Sequence, residues 1–194
     1  MDITSVTGVV LAGGKGERVS GEDKGLLSFR GKPMAQHVAN TLDKVVDRVV
    51  INANRHLAEY EELGFEVCAD DIQMLDIGPL AGLYTCLSDM KTSHLIISPC
   101  DTPLISVAAF EALLAAAKHS PTQIHYLHND QGSHPLHAIM PVASSLFALD
   151  VFLSSQDGLS VLSFYEDFGC QPVCWRLDNE LSNFNSWEDL KSLK

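Results

Sequence analysis

Apolar residues along this chain fall into two alternating patterns. TGVVLA (7–12), DRVVINA (47–53), FEVCA (65–69) and HLIISP (94–99) are short runs rich in β-branched residues, as expected of strands buried on both faces. Between them, MAQHVANTLDKV (34–45), LAEYEEL (57–63) and PLAGLYTCLSDM (79–90) repeat apolar positions at helical spacing. The alternation predicts an α/β fold: a Rossmann-like open sheet, mostly parallel, with helices on both faces. Beyond residue 104 the pattern loosens. Ser106 can cap a helix over 107–119, IHYLH and LHAIMP read as strands, and SSLFALDVFL (144–153) reads as a helix. Ser186 and Asp189 form a capping-box pattern at the start of a last helix, WEDLKSLK. No repeat or linker interrupts the 194 residues, which read as a single domain with a first half to about residue 104 and a second half from about 105.

In an open parallel sheet, ligands bind beyond the carboxyl ends of the strands. That rule selects residues 12–25, 52–55, 70–78 and 99–103, and each of these segments carries glycine or polar chemistry. In the first, Gly13, Gly14 and Gly16 allow close backbone approach and inward N–H groups, the means by which glycine loops hold phosphates. Gly14 and Gly16 are not followed by the third glycine that a dinucleotide-binding fingerprint needs, and no G-K-[ST] follows, so neither that motif nor a P-loop fits. Arg18 and Lys24 add charges suited to a triphosphate.

Charge changes the picture further. The chain carries 25 acidic and 13 basic residues, a formal charge of -12, which disfavours nucleic acid or an anionic membrane as a partner. Yet Lys15, Arg18, Lys24, Arg30 and Lys32 cluster within residues 15–32, a local basic site fit for a small anion. Asp101, in SPCDTP after a buried strand, is costly to desolvate unless something cationic is near. Alone it reads as a turn cap before Pro103; beside the glycine loop it reads as a magnesium ligand, since Mg²⁺ needs one or two protein carboxylates plus substrate phosphate oxygens. The five cysteines lack a C-x-x-C pair and read as reduced thiols, Cys100 among them. With no signal peptide and no long apolar span, a cytoplasmic protein is expected.

LAGGKGERVSGEDKGLL, GKP, NANR, GPLAGL, PCDTP and the ending NFNSWEDL resemble, in order and spacing, the bacterial molybdenum cofactor guanylyltransferases. The resemblance implies the fold of nucleotide-diphospho-sugar transferases. It also implies transfer of GMP from GTP to the phosphate of molybdenum-molybdopterin, with Mg²⁺ and release of pyrophosphate. Carried over by position, GTP would be contacted by Leu11, Ala12, Gly13, Gly14, Lys24, Asn52 and Asp70, and Asp101 would bind both GTP and the metal. Arg18 matches the arginine of the family's glycine loop, and Asn183 and Asn185 match its two C-terminal asparagines, on the acceptor side with His134. Arg18, Lys24 and Asp101 are the expected catalytic set. Transient contacts with cofactor-biosynthesis or molybdoenzyme-maturation proteins are a further expectation. The chain departs from the family's R-M-G-G-x-D-K at Val19 and Ser20, and from its N-T-P ending at Ser186 and Trp187.

His125, His128, His134 and His137 have a metal-like spacing, but an odd separation within each pair puts the two rings on opposite faces of a strand. No Ser-His-Asp or Cys-His set stands in the loops, and an ionised phosphate acceptor needs no general base. Three alternatives stay open: a molybdopterin cytidylyltransferase, against which Gly13 argues within the resemblance; a sugar-phosphate nucleotidyltransferase; and a nucleotide-binding regulator without catalysis.

Overall fold

The computed structural model describes residues 3–13, 23–70, 78–154 and 160–184. Its central feature is a seven-stranded sheet built from β1 (Val6–Leu11), β4 (Arg48–Asn52), β5 (Glu66–Cys68), β6 (His94–Pro99), β7 (Ile124–Asn129), β8 (Gly132–Pro141) and β9 (Cys170–Cys174). The spatial order is β5-β4-β1-β6-β8-β7-β9. All neighbours are parallel except those involving β8, which runs antiparallel to both β6 and β7. The order reverses between β1 and β6, where such sheets bind ligands.

The two faces are separate cores. Val10, Ile51, Ile96 and Ile139 face α1 (Met34–Leu42), α4 (Val107–His119) and the buried Tyr60 of α2 (Leu57–Glu61). Val9, Val50, Leu95, Ile97 and Met140 face α3 (Pro79–Asp89), α5 (Val142–Ser154) and α6 (Val161–Phe168). Each fully buried Leu, Ile or Phe contributes about 1.5–3 kcal/mol. The expected boundaries therefore hold closely for β1, β6 and α4, and Ser106 caps α4 by accepting from the Ala109 N–H at 3.3 Å. The expected last helix lies outside the described residues. The segment LLSFRGKP folds as a small hairpin of β2 (Ser28–Phe29) and β3 (Lys32–Pro33), turning through Arg30 and Gly31 at φ 49° and 83°. Leu27 and Phe29 point inward from it onto Met34 and Phe184.

One expectation about the histidines fails. His125 is buried and His128 exposed, on opposite faces as argued, but the His134 and His137 rings lie 6.5 Å apart. The cause is an irregularity in the β7–β8 ladder: Tyr126 pairs with Ala138 but Leu127 pairs with His134, so residues 135–137 bulge and alternation is lost. Within the described residues the rings have other partners. His125 Nε2 bonds Ser120 O at 2.9 Å, His134 Nε2 bonds Asn129 Oδ1 at 3.0 Å, and His137 Nδ1 pairs with Ser98 Oγ at 3.1 Å.

His137 has a measurable consequence. Burial, with His134 nearby, pushes its imidazole down from an ordinary 6.5 to about 3. Below pH 6.5 the unfolded chain takes up a proton that the native chain refuses, so stability is present at neutral pH and is lost as pH falls toward 3. Urea titration should show about 2 kcal/mol less stability at pH 5 than at pH 7 from this group. In His137→Asn that increment should vanish; an unaltered slope would assign the loss to other groups.

Candidate active site

The carboxyl ends of β1, β4, β5 and β6 place the loop residues together. Backbone bonds fix their spacing: Ala12 N–H donates to Asn52 O at 2.8 Å, Ala53 N–H to Cys68 O at 2.8 Å, and Cys100 N–H to Leu11 O at 3.0 Å. Leu11, Ala12 and Gly13 thus lie between the loops that follow β4 and β6.

Asn52 and Asp70 meet directly. Asn52 Nδ2 donates to Asp70 Oδ1 at 2.7 Å, and Asn54 Nδ2 donates to Asp70 Oδ2 at 2.7 Å and to Gly13 O at 3.3 Å. Two glycines keep this corner open. A β-carbon on Gly82 would come within 2.8 Å of Asn52 Oδ1 and 3.5 Å of Asp70 Oδ1, and one on Gly13 within 2.8 Å of Asn54 Nδ2.

On the other side of β1, Lys24 Nζ lies 3.6 Å from Asp101 Oδ2. The Lys24–Leu26 3-10 turn is set by Asp23, whose carboxylate accepts from the Gly25 N–H at 3.1 Å and from the hydroxyl of the fully buried Tyr60. Burial holds the Asp101 carboxyl above its usual range, and Lys24 pulls it part of the way back. Asp101 Oδ1 is buried with no hydrogen-bond partner among the described residues. Such an oxygen, in an otherwise paired site, is the donor that a hard divalent cation takes, so the residue present fits Mg²⁺. Cys100 beside it is a packed thiol that burial pushes well up, unsuited to nucleophilic work.

The second half of the chain is joined to this centre through the C-terminal segment. Trp175 N–H donates to His128 O at 2.8 Å, Ser106 Oγ and Trp175 Nε1 both donate to Glu180 Oε2, at 2.6 and 3.1 Å, and Phe184 N–H donates to Asp101 O at 2.9 Å. Exposed Asn183 is thereby brought beside the Asp101 loop, while half-buried His134 lies on β8 with its ring toward Asn129. Gly14, Arg18 and Asn185 lie outside the described residues, as do Val19, Ser20, Ser186 and Trp187.

Sequence reasoning overlooked Asp23, Asn54, Tyr60, Gly25 and Gly82 as parts of this site. Asn54 stands in the quoted NANR, two positions beyond Asn52 and so on the same side of an extended chain, which was signal enough to test it. The Asp23–Tyr60 contact joins residues far apart in the chain and leaves no local trace.

Residues 8–168 match the model of the MobA-like NTP transferase domain. The chain is 32% identical over 191 residues to the molybdenum cofactor guanylyltransferase of Haemophilus influenzae, covering 98% of each. It is 33% identical over 197 residues to that of Ralstonia pickettii, covering 98% of this chain and 96% of the relative. Among solved structures it resembles a nucleotidyl transferase from Methanothermobacter thermautotroptrophicus (TM-score 0.75, 19% identity, 98% and 96% of the two chains). It also resembles molybdopterin-guanine dinucleotide biosynthesis protein A from Archaeoglobus fulgidus (TM-score 0.73, 20% identity, 96% and 95%). A Mycobacterium tuberculosis protein of the same fold (TM-score 0.67, 15% identity, 98% of each chain) was solved in complex with manganese. With a near full-length match to these guanylyltransferases and a site assembled where the fold binds nucleotides, the chain belongs to the MobA-like NTP transferase family and is a nucleotidyltransferase.

Proposed function

We propose that this chain transfers GMP from GTP to molybdenum-molybdopterin, in the cytoplasm, with Mg²⁺ as the metal. The observation that carries the reading is the meeting of Asp101, Lys24, Asn52 and Asp70 around the Leu11–Gly13 backbone. One oxygen of the acceptor phosphate attacks the α-phosphorus of GTP, the bond from that phosphorus to the β-phosphate bridge breaks, and pyrophosphate leaves. No proton has to move, because the acceptor is already ionised near neutral pH. What the protein must overcome is repulsion between two anions, so its work is positioning and charge stabilisation.

Each residue has a part in that work. Lys24 places its ammonium on the phosphates, opposite Asp101. Arg18, assigned through the resemblance, adds a guanidinium fork, and the Gly13–Gly14 backbone leaves room for the nucleotide. Asp101 would hold the metal, which when bound supplies positive charge against the phosphate oxygens. Asn52 and Asp70 would present acceptors to the nucleoside, and Leu11 and Ala12 backbone groups would line its other side. His134, Asn183 and Asn185 are assigned to the acceptor half, from about residue 105 onward, and the half to about 104 to the nucleotide. Product transfer would use transient contacts with cofactor-biosynthesis or molybdoenzyme-maturation proteins. No described helix is long and apolar enough to cross a membrane, and a net charge of -12 gives nucleic acid no purchase.

Isothermal titration with GTP, CTP, ATP and UTP in Mg²⁺ tests the reading. GTP should bind at least about tenfold more tightly than the others, a difference of about 1.4 kcal/mol. A preference for CTP would turn the assignment to a cytidylyltransferase, and GTP binding without pyrophosphate release on addition of acceptor would turn it to a regulator.

A further inference from the structure

Among the described residues, both side-chain N–H groups of Asn54 and one lone pair of its carbonyl are committed to neighbouring loops. A primary amide offers two N–H donors and one carbonyl acceptor. Nδ2 donates to Asp70 Oδ2 at 2.7 Å and to Gly13 O at 3.3 Å, and Oδ1 accepts from the Asp70 backbone N–H at 2.8 Å. One side chain, on the loop after β4, thus ties the loop after β5 to the loop after β1. Asn52 makes only one of these links, to Asp70 Oδ1, and its second N–H is turned to Cys68 Sγ at 3.8 Å.

The two amides hold one carboxylate from two sides and fix its plane. Each Asp70 oxygen accepts one N–H from them, and among the described residues has acceptor capacity left for a further donor. Asp70 Oδ1 lies at the opening that Gly82 leaves, so the remaining acceptor capacity is directed to where a ligand can reach it. Among the described residues, both side-chain N–H groups of Asn54 are taken up by Asp70 and Gly13. Its influence on binding passes through Asp70 and Gly13.

We infer that Asn54 is a positioning residue of the nucleotide site: it fixes the Asp70 carboxylate and the Gly13 carbonyl before GTP arrives, so that binding does not have to order them. The inference rests on the proposed reading of Asp70 as a nucleotide contact. Charge-assisted hydrogen bonds of this kind support about a tenfold effect on affinity.

The test is a double-mutant cycle read by steady-state kinetics. Asn54→Ala should raise the KM for GTP about tenfold while leaving kcat at saturating GTP and the KM for molybdopterin within a factor of two. In an Asp70→Ala background the same substitution should raise the GTP KM only about threefold, because of its links only the bond to Gly13 O is left to lose. Asn54→Asp keeps the shape and the bond from Asp70 N–H but sets an acceptor against the carboxylate, and should raise the GTP KM at least as much. A full tenfold effect of Asn54→Ala in the Asp70→Ala background overturns the inference, and so does a GTP KM unmoved by both Asn54 variants while Asp70→Ala raises it. If Asp70→Ala itself leaves GTP unaffected, the reading of Asp70 fails first and the inference falls with it. Loss of kcat together with a lowered melting temperature in both Asn54 variants would make Asn54 a structural residue only.

Discussion

Asp101→Ala is expected to lower kcat for guanylyl transfer by about 100-fold to 1,000-fold, the range for removal of a preorganised charge partner, and to do so without destabilising the fold. Its carboxylate has one buried oxygen unpartnered among the described residues and a titration held upward by burial. The folded chain therefore carries it at a cost, offset in part by Lys24 at 3.6 Å. Removing the group relieves that cost, so the melting temperature should stay level or rise, as commonly happens when a strained functional group is deleted. Asp101→Asn should be nearly as inactive, because an amide keeps the volume but loses the charge that holds a cation. Pyrophosphate release at saturating GTP and acceptor, read beside a thermal melt, decides the matter. Activity within threefold of the parent would remove Asp101 from the reaction, and a collapse in stability would mean its role is architectural.

The second large effect belongs to a residue without chemistry. Gly25→Ala should destabilise the protein by about 2 kcal/mol, a drop of roughly 4–8 °C in melting temperature for a chain of this size. A β-carbon there would overlap the Tyr60 hydroxyl and lie within 3.1 Å of Cζ. Tyr60 cannot retreat: its ring is fully buried, and its hydroxyl donates to Asp23, the cap of the turn that carries Lys24. Relief must come from movement of the turn, so GTP affinity should fall along with stability. Tyr60→Phe removes the colliding oxygen, and in that background Gly25→Ala should cost measurably less. Additive costs in the double variant would show that the collision is not the cause.

What the sequence made legible was whatever depends on near neighbours. The buried runs of β1 and β6 and the Ser106 cap of α4 announce themselves because periodicity and capping act over a few residues. α6 carries the same local signals: Ser160 caps it, Val161, Phe164, Tyr165 and Phe168 recur at helical spacing, and Gly169 ends it at φ 99°. β9 was harder. CQPVC is half-exposed, contains a proline, and is a strand only because β7 offers it an edge. The bulge at residues 135–137 was invisible for a related reason, since it exists only in the pairing of β7 with β8. Motif order picked out Gly13, Lys24, Asn52, Asp70 and Asp101, which the sheet brings to one end, but the hydrogen bonds that orient them join separate strands. Asn54 and Tyr60 acquire their roles only after the sheet has brought Asp70 and Asp23 to them.

The register of the central strands bears on how the protein is born. Residue 11 sits opposite residue 52, residue 7 opposite residue 95, and residue 51 opposite residue 67. Apart from the last, these parallel pairings close long loops and form slowly, whereas the β7–β8 hairpin, with Asn129 opposite Gly132, is local and can form early. The residues that gather around Gly13 come from the ends of the slow strands, and no short fragment of the chain contains more than a part of them. A chain in which β1 has not yet paired with β4 and β6 consequently has no assembled site, and a nucleotide can stabilise only molecules whose β5-β4-β1-β6 half is in place. Nucleotide capture is in this sense a receipt for the pairing of β1 with β4 and β6, and a nucleotide analogue that reports on the pocket would time those long-range contacts rather than the local hairpin.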